Sequence, residues 1–166
     1  DRIKCTVENV GTQLQMLPST EGQIAAIEPA TELVVNVDGG HIKSIEDDKR
    51  SFEAMTAVIY RPESLVSNST ETRNYLTSKH CAASANADNQ AQMITNTVVA
   101  ALKQGLSPNT AITALCDGAE NCWQIVNALK PLSASTLCIL DWFHLAMKIQ
   151  NISLPEKFKS KLIKIK

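Results

Sequence analysis

The apolar positions of this chain cluster into short runs, and three of these runs close on an aspartate. Leu33-Val34-Val35 with Val37 leads into Asp38-Gly39-Gly40, AITALC leads into Asp117-Gly118, and STLCIL leads into Asp141. The first run is continuous and β-branched rather than alternating, which predicts a strand over Glu32–Val37 buried on both faces in the middle of a sheet. His41–Ile45 is expected to continue it past a kink or bulge at the two glycines. The charged cluster Glu46–Arg50 then reads as an exposed turn. In Phe52–Tyr60 the apolar and small residues alternate between two faces, predicting an antiparallel partner joined to the first strand as a hairpin. Pro62 and the polar stretch after it end that strand, and Asn74–Ala83 is expected to be the third. Ala91, Ile94, Val98, Ala101 and Leu102 recur at three- and four-residue spacing, giving a helix over Ala87–Leu106 that Gly105 and Pro108 stop. A fourth strand follows at Thr110–Cys116, then an amphipathic helix at Asn121–Leu129. A fifth strand at Ser135–Leu140 leads into a helix at Trp142–Gln150, with Phe143, Met147 and Ile149 as its apolar positions.

The predicted order is β-β-β-α-β-α-β-α, an α/β mixed sheet with helices on its faces. Right-handed crossovers set the fourth and fifth strands parallel to the first. The C-terminal ends of parallel strands share one edge of a sheet, and sites form there. Asp38, Asp117 and Asp141 all fall at such ends. Carboxylates gathered at one edge repel unless a cation lies between them, and hard oxygen ligands suit Mg²⁺ or Mn²⁺. Taken singly, each aspartate also fits a turn or helix-cap role, as Asp117 would before the helix that follows it.

The chain has 166 residues, 44% hydrophobic and 20% charged, with a formal net charge of −1. This is the composition of an ordinary globular domain, without a global basic field. No apolar run nears the roughly 18 residues a membrane helix requires. Five cysteines without a C-x-x-C pair or zinc-ligand spacing point to a reducing, cytoplasmic setting, with Cys116 and Cys138 in buried strands. Residues 1–30 read as an entry segment, in which Val7–Leu17 could form a short helix or strand. Residues 151–166 read as the opening of a basic helix. There Lys157, Lys159, Lys161, Lys164 and Lys166 face Glu156 alone. Phe158, Leu162 and Ile165 form its apolar stripe. The lysines fit a solvated helix face, and Lys157, Lys159 and Lys161 are weak candidates for contacting DNA phosphates. A chain that opens at Asp1 and closes inside a helix is expected to be a fragment of a longer protein.

The element order, with acids after the first and fourth strands, resembles the RNase H-like catalytic core. VVNVDGGHIK, CDGAENCW and LDWFHLAMKI resemble the segments around the acids of bacterial insertion-sequence transposases of the D-D-E type, Mutator-like and related families. The resemblance spans residues 31–150. It implies DNA strand cleavage and transfer by two-metal phosphoryl transfer, with transposon ends and target DNA as partners. It also implies a possible homo-oligomer of the full-length protein. Position by position, Asp38 and Asp117 match the first two metal-binding acids, and Asp141 with His144 match the Asp-x-Phe-His signature after strand five. The family's third acid is a glutamate on a later helix, beyond a helical insertion that would begin near residue 166. Glu120 and Glu156 do not follow that order, so the segment is expected to be inactive alone. Two other classes compete. An actin-like ATPase or sugar-kinase half also opens with strand, acid and glycines, but its second phosphate loop would need more than Gly118. An RNase H-like remnant acting as an interaction domain is the other.

Overall fold

The computed structural model describes residues 27–44, 51–67 and 73–151. The entry segment up to residue 26, the charged turn and the lysine-rich residues Lys157, Lys159 and Lys161 lie outside them. Strand β1 runs over Glu32–Lys43 and β2 over Ser51–Tyr60, followed by a 3₁₀ turn at Pro62–Ser64 and two short strands, β3 (Leu65–Val66) and β4 (Tyr75–Leu76). Strand β5 (His80–Ser84) precedes helix α1 (Ala91–Lys103) and β6 (Ala111–Cys116). Helix α2 (Glu120–Leu129), β7 (Ser135–Leu140) and α3 (Trp142–Asn151) complete the order.

Five strands form one sheet in the order β5-β2-β1-β6-β7. Strand β1 pairs antiparallel with β2 and β2 antiparallel with β5, whereas β1–β6 and β6–β7 are parallel. This is the mixed RNase H-like sheet that the element order implied. The most apolar strand, β1, sits in the centre as its uninterrupted β-branched run requires.

The main core lies on one face of the sheet. Leu33, Val35 and Val37 of β1 share that face with Met55, Ala57 and Ile59 of β2 and with Ile112, Ala114 and Cys116 of β6. Met93, Ala100 and Ala101 of α1 and Cys122, Ile125, Val126 and Leu129 of α2 close over it. The buried stripe of α1 is rotated from the one its apolar residues predict. Met93, Thr97, Ala100 and Ala101 are buried, while Ile94, Val98 and Leu102 are only partly so. Thr97 can occupy the core because its hydroxyl donates to the Met93 carbonyl at 2.7 Å, leaving no unmet polar group.

Four expectations are corrected. The chain does not kink or turn at Gly39-Gly40; both stay in register, opposite Met55 and Ala54. Gly39 is instead a close-approach position, since a Cβ there would lie 2.7 Å from the Met55 sulfur, while one at Gly40 would meet nothing. The third strand is divided: Tyr75–Leu76 pairs with Leu65–Val66 in a separate ribbon, and only His80–Ser84 joins the main sheet. Cys138 is exposed, because β7 pairs on one side only among the described residues. Finally, α3 does not bury its apolar positions. Phe143 is 64% exposed and Trp142 72%, with Met147 and Ile149 also exposed; the contacts of α3 with the sheet edge are polar ones, through the Asp141 N–H and Lys148.

Candidate functional site

The parallel pairing of β1 with β6 aligns Val37 with Cys116 and so brings the next residues, Asp38 and Asp117, side by side. Asp117 follows the end of β6, but Asp38 lies inside β1 rather than at its end as expected, because the pairing with β2 carries β1 on to Lys43. Alternation along β1 puts Asp38 on the face away from the main core, where its side chain is 62% exposed. Its Oδ1 accepts a hydrogen bond from the Gly39 N–H at 2.9 Å.

Asp117 is half-buried and accepts from the Ala119 N–H at 2.8 Å, closing the turn into α2. The turn depends on Gly118, whose φ of +89° lies in the left-handed region. A Cβ on Gly118 would also come within 2.9 Å of the Leu140 side chain. The turn-forming role open to Asp117 from sequence is therefore filled by one oxygen, and a carboxylate has acceptor capacity beyond it.

Both acids act on one buried thiol. The Cys122 thiol is pushed up to about 12, first by burial, then by the Asp117 charge and its hydrogen bond to Asp117, with Cys116 and the Asp38 charge adding further. Asp38 and Asp117 are thus both within electrostatic reach of the first turn of α2. Burial likewise pushes Cys116 up to about 12, with Cys138 and Asp117 contributing. Both are protonated structural thiols rather than nucleophiles.

Asp141 and His144 reach the same edge from α3. The Asp141 N–H donates to the Cys116 carbonyl at 2.8 Å, extending the β6–β7 pairing by one residue. Its carboxylate caps the new helix, accepting from the Phe143 N–H at 2.9 Å. That bond, followed by the hydrogen bond to His144, holds the Asp141 carboxyl below its ordinary range. His144 Nδ1 lies 2.9 Å from Asp141 Oδ2. A carboxylate only accepts, so Nδ1 carries the proton, and Nε2 is left facing Asp38 Oδ1 at 4.0 Å. The spacing of three residues that placed the pair on one helical face thus sets His144 between Asp141, to which it is hydrogen-bonded, and Asp38, 4.0 Å away.

Three further residues were not singled out by sequence. Glu53 of β2 stands opposite His41, and its Oε1 accepts from Asn121 Nδ2 at 2.6 Å, which draws the carboxylate toward the positive N-terminal end of α2. Lys148, one helical turn beyond His144, donates from Nζ to the Asp117 carbonyl at 3.1 Å. Glu53 falls in no motif, whereas Lys148 and Asn121 lie inside the segments LDWFHLAMKI and CDGAENCW without having been singled out there. His41 is exposed.

Among the described residues, no group of three or more His, Cys, Asp or Glu side chains gathers closely enough to hold a metal ion. The donor chemistry of Asp38 and Asp117 nonetheless fits Mg²⁺, which commonly takes one or two carboxylates from a protein and fills its remaining positions with water and phosphate. No helix among the described residues is long and apolar enough to cross a membrane.

No family model and no curated protein matches the chain. Among solved structures it is similar to LC9-RNase H1, a type 1 RNase H with the type 2 active-site motif. That likeness has a TM-score of 0.37 and 9% identity, over 70% of this chain and 65% of that one. The chain thus spans just under two thirds of the length of that RNase H, and the fold rests on the strand order of its own sheet.

Proposed function

We propose that this chain carries the catalytic edge of a nucleic-acid phosphoryl-transfer domain, and specifically most of the core of a D-D-E type DNA transposase. The observation that carries the reading is the meeting of Asp38 and Asp117 where the parallel pairing of β1 with β6 ends, both within electrostatic reach of Cys122. In this reading the two aspartates hold Mg²⁺ or Mn²⁺, which when bound supplies charge stabilisation and an activated oxygen nucleophile for phosphodiester attack. The protein's own part is to fix the carboxylates. The Gly39 and Ala119 amides orient them, and the sheet register sets their spacing. Asp141 fixes the His144 ring so that Nε2 faces Asp38, where it can accept a proton from a water or hydroxyl at that edge. The family's third acid has no counterpart among the described residues, so cleavage is proposed for the full-length protein.

The test is metal-dependent stability. Mn²⁺ or Mg²⁺ raises the melting temperature of the wild-type chain, and Asp38→Asn and Asp117→Asn each abolish the rise while folding normally. Stabilisation by ATP instead would favour the actin-like class. No response to either metal or nucleotide would leave an RNase H-like scaffold without chemistry and sink the proposal. In the full-length protein, Asp38→Ala or Asp117→Ala abolishes strand cleavage.

A further inference from the structure

The edge just described has an electrostatic difficulty. Asp38, Asp117 and Asp141 converge on it, and Glu53 adds a fourth carboxylate at the start of α2. A polyanion approaching such an edge is repelled unless a cation receives it.

Lys148 is placed to do so. It lies four residues beyond His144 and so on the same face of α3. It is solvent-exposed, and the contact to the Asp117 carbonyl holds its ammonium beside the acid-bearing strand end rather than free in solvent. An ammonium has three N–H donors. One is used on that carbonyl, and among the described residues no other partner of Nζ is found.

We propose that Lys148 is a phosphate-contacting residue, gripping a nucleic-acid backbone phosphate through these remaining donors as the strand enters the Asp38–Asp117 edge. The inference rests on the nucleic-acid reading above and adds the residue that holds the substrate there. A purely structural role, tying α3 to the end of β6, would give the same contact without any ligand, so the experiment must separate the two.

Salt dependence does this. Each phosphate contact adds about 0.9 to the slope of log affinity against log salt for duplex DNA. Binding of a fluorescent duplex oligonucleotide is measured from 50 mM to 1 M salt, without divalent ions, for wild type, Lys148→Gln, Lys148→Met and Lys148→Arg. Lys130→Gln is the control, since Lys130 lies in the turn before β7, at the opposite end of the strands. Lys148→Gln and Lys148→Met are expected to flatten the slope by about 0.9, which corresponds to roughly tenfold weaker binding at 50 mM and convergence near 1 M. Lys148→Arg keeps the slope, and Lys130→Gln leaves it unchanged. A slope unaltered in Lys148→Gln and Lys148→Met, whatever happens to their melting temperatures, overturns the proposal. So does an equal loss in Lys130→Gln. If Mn²⁺ stabilisation through Asp38 and Asp117 holds while the Lys148 slope does not move, only this inference fails. A wild type that binds no duplex at any salt removes both.

Discussion

Two adjacent glycines show how much a single Cβ decides. Gly39 faces Met55 on the core side of the β1–β2 pair, where an added methyl would lie 2.7 Å from a buried sulfur, whereas Gly40 faces open space. Gly39→Ala is therefore expected to cost about 1–3 kcal/mol by overpacking against Met55. Gly40→Ala is expected to fall within about 0.5 kcal/mol of wild type, as open surface substitutions do. Urea unfolding of the two variants checks the contrast, and equal costs would show that the Met55 contact is not what requires the glycine. At Gly118 the reason is backbone as well as space. Its positive φ and the Leu140 side chain both oppose a Cβ, so Gly118→Ala should cost roughly 1–3 kcal/mol and should disturb the Asp117 turn with it.

At the scale of elements, the starts of β1 and β6 are joined by one hydroxyl. Thr110, fully buried, donates to the Ala30 carbonyl at 2.7 Å and accepts from the Ser107 N–H at 2.9 Å. Thr110→Val keeps the shape but leaves both backbone groups without that partner, an expected loss of about 1–3 kcal/mol by chemical denaturation. A second junction is titratable. His80 of β5 takes the Gln104 amide on Nδ1 at 2.8 Å, and burial, then the Lys103 charge, lowers its pKa below 6.5. The folded state thus favours neutral imidazole, and the unfolded chain binds the proton first. Stability from this group is complete above pH 6.5 and falls as the pH drops below it, until the lowered folded-state value is reached. His80→Gln should flatten that part of the stability–pH curve. An unchanged acid slope would mean that the His80 environment is not what the stability reports.

For the whole molecule, stability resides on one face of the sheet. Ile125 and Leu129 of α2 are fully buried against β1 and β6, so Ile125→Ala should cost about 2–5 kcal/mol. The opposite outcome is expected on α3. Phe143 is exposed, so Phe143→Ala should change the melting temperature little. The site lies between these regimes, with Asp38 and Asp117 on the rigid sheet and His144 and Lys148 on a helix held by polar contacts. Substitutions at the sheet end should therefore alter metal response, and those on α3 should alter ligand contact.

Much of this was legible along the chain because periodicity is a local consequence of burial. The β-branched run of β1 announced a central strand, the apolar steps of α1 announced a helix, and strand-end aspartates announced an edge. Where a local polar bond changed the balance, the reading shifted: Thr97 entered the core through its bond to Met93, and α1 turned slightly with it. Where polar residues interrupted a weak pattern, as between Leu76 and His80, one expected strand became two. Convergence was not legible. That Glu53 answers Asn121 across 68 residues, that Lys148 reaches Asp117, and that His144 faces Asp38 depend on sheet register and on the path of two crossovers. Sequence alone determined that three acids follow three apolar runs, although β1 continues past Asp38 to Lys43. Only the tertiary structure decided which side chains stand around them, because separate segments acquire fixed distances only once they share a core.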